Sequence, residues 1–203
     1  MKTGRSDHPF DRTRRRWYTV IGGALWTVIL VAASVEGGFA FDALSSDGLI
    51  REVRIGAAAH DVDGLWSGES KEAGPDICGQ VFFNRPLVRL LSAEAYPAAR
   101  LSLNTRGDTS KVYGGIQIEW SIRSRLFLST GLGLALHDGE LDSSSTDRKS
   151  LGSRVLFRIP IEIGFAIGRH YRVVLAFDHI SNAYLASPNE GMDTIGLLIG
   201  YRF

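Results

Sequence analysis

From Val155 to Ile167 every second residue is large and apolar: Val155, Phe157, Ile159, Ile161, Ile163, Phe165 and Ile167. Side chains alternate across a β-strand, so this run is one strand with a continuous apolar face. Its other face carries Arg154, Arg158, Glu162 and Gly164. Residues 126–136 repeat the pattern, with Leu126, Leu128, Leu132, Leu134 and Leu136 on one side and Ser129, Gly131, Gly133 and Ala135 on the other. Weaker versions occupy residues 53–60, 77–83, 99–105 and 112–122, and two more lie at residues 171–181 and 193–203. The chain is therefore read as all-β with eight strands.

A soluble sandwich alternates too, and two observations favour an antiparallel transmembrane barrel. The second face mixes Arg100, Asn104, Gln117, Glu119, Arg158 and Glu162 with glycine. An eight-stranded barrel is too narrow for a channel, so such residues fill its inside and pair with one another. The connections also alternate in length. Residues 123–124 and 168–170 are tight, whereas 60–75 and 137–153 are long and polar, the asymmetry of periplasmic turns and outer loops. Residues 84–95 break this rule, being long where a short turn is due, and are read as a short helix. Trp120, Phe165, Tyr171, Tyr201 and Phe203 fall on the apolar face near periplasmic strand ends, as an interfacial aromatic girdle would.

Residues 1–40 read as a secretory signal peptide. Arg12, Arg14, Arg15 and Arg16 precede an apolar run, and Gly38-Phe39-Ala40 offers small residues at a cleavage site, leaving residues 41–203 as one barrel domain. Val31-Ala32-Ala33 is a competing site, and a retained membrane helix is the rival interpretation. Arg14 to Arg16 also resemble a twin-arginine signal, which is set aside because barrels reach the outer membrane unfolded. The net charge of +1 argues against a nucleic-acid partner. Cys78 is the single cysteine, which excludes an intramolecular disulfide and a cysteine-based zinc site.

The C-terminal pair of strands flanks a loop holding Pro188, Asn189 and Gly191, a hairpin pattern. Tyr171, Val173, Leu175, Phe177, His179 and Ser181 share one face, and Asp193, Ile195, Leu197, Ile199, Tyr201 and Phe203 share one face of the return strand. Both faces are apolar except beside the loop. His179 and Ser181 are same-face neighbours, and the hairpin brings Asp193 toward His179. An acid that orients a histidine, which takes a serine proton, is the logic of serine hydrolysis. A charge facing lipid is costly, so three polar groups at that rim require mutual hydrogen bonds or a polar ligand. Glu190, in the loop, is an alternative acid. Asp178 has the opposite parity and is assigned to the interior; His60, His137 and His170 are assigned to strand ends or turns without a functional role.

The constellation resembles the PagL-type lipid A 3-O-deacylase family of outer-membrane barrels, whose pattern is His-x-Ser-Asn followed on the next strand by an acid. His179-Ile180-Ser181-Asn182 matches, and Asp193 stands where the acid is expected, although some members have Glu there. The resemblance implies a catalytic set of His179, Ser181 and Asp193 acting on lipid A of lipopolysaccharide in the outer leaflet. The motif makes Asn182 a candidate oxyanion donor, through a bulge or its backbone N–H because its strand parity is inward. Asn189 and Gly191 are further candidate donors by their place in the loop. No metal or organic cofactor is implied. Terminal Phe203 resembles the signal by which the barrel-assembly machinery recognises its clients, and a homodimer is compatible with the pattern. A non-catalytic barrel acting as a structural protein or adhesin, and a phospholipase or acyltransferase barrel, are the alternatives.

Overall fold

The structure is a computed structural model that describes residues 48–203 except residue 91. The signal peptide assigned to residues 1–40 lies outside the described residues. The strands are β1 (Ile50–Ala59), β2 (Pro75–Phe83), β3 (Val88–Leu90), β4 (Ala93–Asn104), β5 (Lys111–Ser121), β6 (Leu126–His137), β7 (Val155–Ile167), β8 (Tyr171–Ser181) and β9 (Met192–Arg202). Neighbours pair antiparallel, β9 pairs with β1, and β2 pairs with β4, so that eight strands close into a barrel with β3 appended.

Alternation sorts the side chains as the sequence pattern requires. On β7, β8 and β9 the outer positions Phe157, Ile161, Ile163, Leu175, Leu197 and Ile199 are exposed. Closure leaves the eight barrel strands without an open edge, and an apolar exterior on a closed barrel is what lets strands cross a lipid bilayer. The inward positions are buried and mix polar groups with apolar ones such as Phe127, Val174 and Leu198. Arg54 pairs with Glu52 and Glu162, and Arg172 grips Glu119 through two hydrogen bonds of 2.6 and 3.1 Å. Gln80 donates to Gln117 at 3.0 Å, and Gln117 donates to Ser129 at 3.1 Å. Asp178 is clamped between Arg100 and Arg158. Each ion is thus out of water but beside its counter-ion, the condition under which a buried charge is tolerated.

Two expectations change. The described residues of 84–95 hold no helix: β3 folds back on the first residues of β4, with Arg89 and Glu94 opposite one another and 3.2 Å apart. Strand β4 begins at Ala93 instead of residue 99, because its periplasmic end needs a partner and β3 supplies it. At the same end Tyr171 and Tyr201 are cross-strand partners with ring centroids 5.5 Å apart, and Tyr201 meets Phe203 at 5.3 Å. These rings sit where a side chain half in lipid and half in water is favoured. Cys78 is buried against Ser102 and Arg100.

Candidate active site

At the outer end of the C-terminal hairpin, His179 on β8 lies directly opposite Asp193 on β9. Both face outward, since Asp178 and Thr194, one residue away on each strand, are turned inward and buried. Cross-strand neighbours stand close enough for side chains to meet. His179 Nδ1 is 2.7 Å from Asp193 Oδ1, and His179 Nε2 is 3.2 Å from Ser181 Oγ. With the proton on Nδ1 donated to the carboxylate, Nε2 is left as the acceptor that can take the serine proton. The three candidate catalytic residues are therefore brought together in one chain of hydrogen bonds.

Asp193 sits on the lipid-facing side, yet none of it is exposed. The loop of residues 60–74 explains this: it leaves the top of β1 and folds down over the outside of the hairpin. The Val62 N–H donates to the Asp193 carbonyl at 2.8 Å, and the Ser67 N–H donates to Asp193 Oδ2 at 2.7 Å. Trp66 stands edge-on to the His179 ring at 5.2 Å and to Phe177 at 5.3 Å. Sequence reasoning treated this segment as a polar outer loop and missed Trp66 and Ser67. The available signal was a Leu-Trp pair held between Gly64 and Gly68, which a 3.1 Å backbone hydrogen bond draws together.

Glu190, the alternative acid, does not reach His179. Its carboxylate binds Lys71 and accepts from the Ser150 N–H at 2.7 Å. Burial works against ionisation there, but these two partners hold its pKa below the ordinary carboxylate value.

Asn182 keeps strand parity and turns inward, where it is buried. Its amide Nδ2 donates to the carbonyls of Leu151 (3.1 Å) and Pro188 (2.8 Å), and its N–H donates to Asn189 Oδ1 at 2.9 Å. All the donors of Asn182 are thereby engaged in tying the loop of residues 182–191 to that of residues 138–154, and the contact to Asn189 fixes which way that amide points. Gly191 has φ of +64°, and a Cβ there would lie 3.1 Å from the Ile180 carbonyl oxygen and 3.4 Å from His179 Cε1. Glycine suits this position because other residues resist the left-handed region and a Cβ would press on the Ile180 carbonyl. Ala183 and Tyr184 are left-handed without being glycine, a strained reversal that leaves Tyr184 and Leu185 87% and 79% exposed.

His60, assigned no function, lies at the centre of a buried cluster at the barrel mouth. It contacts Glu72 at 3.0 Å and Asp76 at 2.8 Å, while Lys111 is 3.2 Å from Asp76. Burial and Lys111 oppose its protonation, but the two carboxylates raise its pKa above the ordinary histidine value. Glu72 is pulled down to about 2: against the cost of burial, it accepts hydrogen bonds from His60, from Thr109 and from the Lys149 N–H. These residues tether the loop of residues 60–74 to the barrel. No cluster suited to a metal ion occurs among the described residues.

Comparison with known proteins gives a consistent answer. A model of the lipid A 3-O-deacylase (PagL) family matches residues 95–202, more than half of the chain. The lipid A deacylase PagL of Bordetella bronchiseptica is 31% identical over 84 residues, which is 41% of this chain and 45% of that protein. The match thus spans less than half the length of the curated relative. The fold is similar to the crystal structure of the outer membrane enzyme PagL, with a TM-score of 0.51 and 18% identity over 76% of this chain and 99% of that one.

Proposed function

Because the chain belongs to the lipid A 3-O-deacylase (PagL) family, we propose that it is a serine esterase of the bacterial outer membrane that removes the acyl chain ester-linked at the 3-O position of lipid A. The observation that carries this reading is the hydrogen-bonded row of Asp193, His179 and Ser181 on the outward face of a barrel whose exterior is otherwise apolar. A soluble ester has poor access to such a face, whereas a lipid of the outer leaflet reaches it by lateral diffusion. Exposed Leu65, Trp66, Tyr184 and Leu185 on the two neighbouring loops add apolar surface suited to acyl chains.

In the proposed reaction Ser181 Oγ adds to the ester carbonyl carbon as His179 Nε2 takes its proton, and the carbonyl oxygen becomes an oxyanion. Asp193 holds the imidazole by Nδ1 and offsets the positive charge that the ring acquires. The oxyanion is stabilised by donors from the loop of residues 182–191, for which the Asn189 amide and the Gly191 backbone are the candidates. Asn182 serves by fixing Asn189. Collapse breaks the bond to the sugar oxygen, which departs with the proton from His179. Water then gives a proton to His179 and attacks the acyl-serine. Ser181 recovers its proton as the 3-hydroxy fatty acid leaves. Phe203 keeps its proposed part as the segment read by the barrel-assembly machinery.

The test uses outer-membrane-inserted protein and mass spectrometry of lipid A. The parent is expected to shift lipid A down by one 3-hydroxyacyl group, and Ser181→Ala to leave it intact while the barrel remains heat-modifiable. Deacylation by Ser181→Ala at the parental rate would remove Ser181 as the nucleophile.

A further inference from the structure

We propose that the loop of residues 60–74 is a working part of the active site, and that Lys149 is a positioning residue acting through it. This rests on the serine-esterase reading above. Asp193 has two carboxylate oxygens, and only Oδ1 serves His179. The other, Oδ2, accepts from the Ser67 N–H at 2.7 Å. A fully buried carboxylate needs a partner for each oxygen, and this second hydrogen bond also fixes the plane in which Oδ1 meets the imidazole. The third member of the triad is thus oriented by a loop 126 residues earlier in the sequence.

The loop does not hold itself there by an apolar core of its own, since Leu65 and Trp66 are exposed. Its ends are tethered through His60 and Glu72, and its middle is held by the Lys149 ammonium, which comes from the loop of residues 138–154. Lys149 Nζ donates to the Glu69 carbonyl, lies 3.5 Å from the Ser67 carbonyl and 3.4 Å from Asp61 Oδ1, and is 98% buried. Asp61 in turn accepts the N–H groups of Lys71 and Glu72 at 2.7 and 2.9 Å through its other oxygen. The Lys149 N–H donates to Glu72 Oε1 at 3.1 Å, so the cation and its own backbone grip the loop at its middle and near one end. Without the ammonium, Asp61 is a buried anion lacking its counter-charge, and the Ser67 peptide loses the contact that keeps its neighbouring N–H on Asp193. The barrel does not depend on this contact, because β8 and β9 pair from Tyr171–Tyr201 to Ile180–Met192 on their own.

The experiment measures two rates on detergent-folded, heat-modifiable barrel: phosphonylation of Ser181 by a fluorophosphonate probe, and lipid A deacylation with kcat and KM separated. Lys149→Met is expected to lower the labelling rate and kcat by about 10- to 100-fold, the scale of a misplaced reacting group, with KM unchanged. Arg148→Met, which removes a neighbouring charge bound to Asp108 instead, is expected to match the parent in both. Should Lys149→Met fail to fold, Ser67→Pro, which deletes the N–H itself, takes its place with the same expectation. A parental labelling rate and kcat in the folded variant would overturn the proposal. So would a loss confined to KM, which would make the loop a substrate contact and not a positioning device. A parent that is not labelled at Ser181 overturns the serine-esterase reading and this inference together, whereas a labelled parent with an unaffected variant overturns this inference alone.

Discussion

Asp178 and His179 are consecutive, yet they belong to two polar clusters of different kinds on opposite sides of one strand. Inside the barrel, Asp178 lies between Arg100 and Arg158, all three essentially sealed from solvent. Outside, His179 joins Asp193 to Ser181, with part of its ring and of the serine still accessible. The inner cluster sets one carboxylate between two guanidinium groups, and none of the three side chains reaches an accessible surface. The outer cluster ends on a serine hydroxyl and is closed on its acid side by a loop. A buried polar group that has all its partners within the fold supports structure, and one whose chain of hydrogen bonds runs out to an accessible atom is placed for chemistry.

Mutations can break this contrast. His179→Asn is expected to reduce lipid A deacylation by about 100- to 10,000-fold, the usual contribution of a general base, with urea unfolding from bilayers unchanged. Asp178→Ala should do the reverse. It leaves Arg100 and Arg158 buried without their counter-ion, which costs about 3–5 kcal/mol when one partner of a buried pair is removed, while turnover per folded molecule stays near the parental value. Equal effects of the two substitutions on both measurements would erase the distinction between the clusters. Asp193→Asn is expected to slow deacylation less than His179→Asn and to retain measurable turnover, as loss of the orienting acid does in subtilisin. Glu190→Gln, whose carboxylate binds Lys71 and the Ser150 N–H, should fall short of either.

The smallest expected effect is on pH. His60 faces Glu72, Asp76 and Lys111, and its pKa is raised in the folded protein. Its contribution to holding the loop of residues 60–74 is therefore complete below about pH 6.5, the ordinary histidine value, and is lost as pH climbs through the raised value. Glu72, depressed to about 2, contributes above the ordinary carboxylate range and loses that contribution only as pH falls toward 2. Tryptic cleavage after Lys71 should accordingly stay flat near pH 6 and increase on the alkaline side. An increase that starts between pH 5 and 6 would contradict this assignment.

The strand pattern and the face carried by each residue were legible in the sequence because a period of two is a local property. Alternating apolar residues on β6 to β9 give the outward side without knowledge of any neighbour, and the same parity puts His179, Ser181 and Asp193 on one side and Asp178 on the other. The meeting of His179 and Asp193 was also near the surface of the sequence, since a hairpin pairs residues close in the chain. What the tertiary structure alone decided lies at greater separation. The Ser67 N–H meets Asp193 across 126 residues, and Lys149 reaches Glu69 across 80. The Asn182 donors turned out to be spent on Leu151, Pro188 and Asn189. β3 formed because the end of β4 lacked a partner, where a short helix was expected. Loop contacts of this kind follow no period and depend on which backbone groups a closed barrel brings to the same rim, so local side-chain pattern carries no record of them.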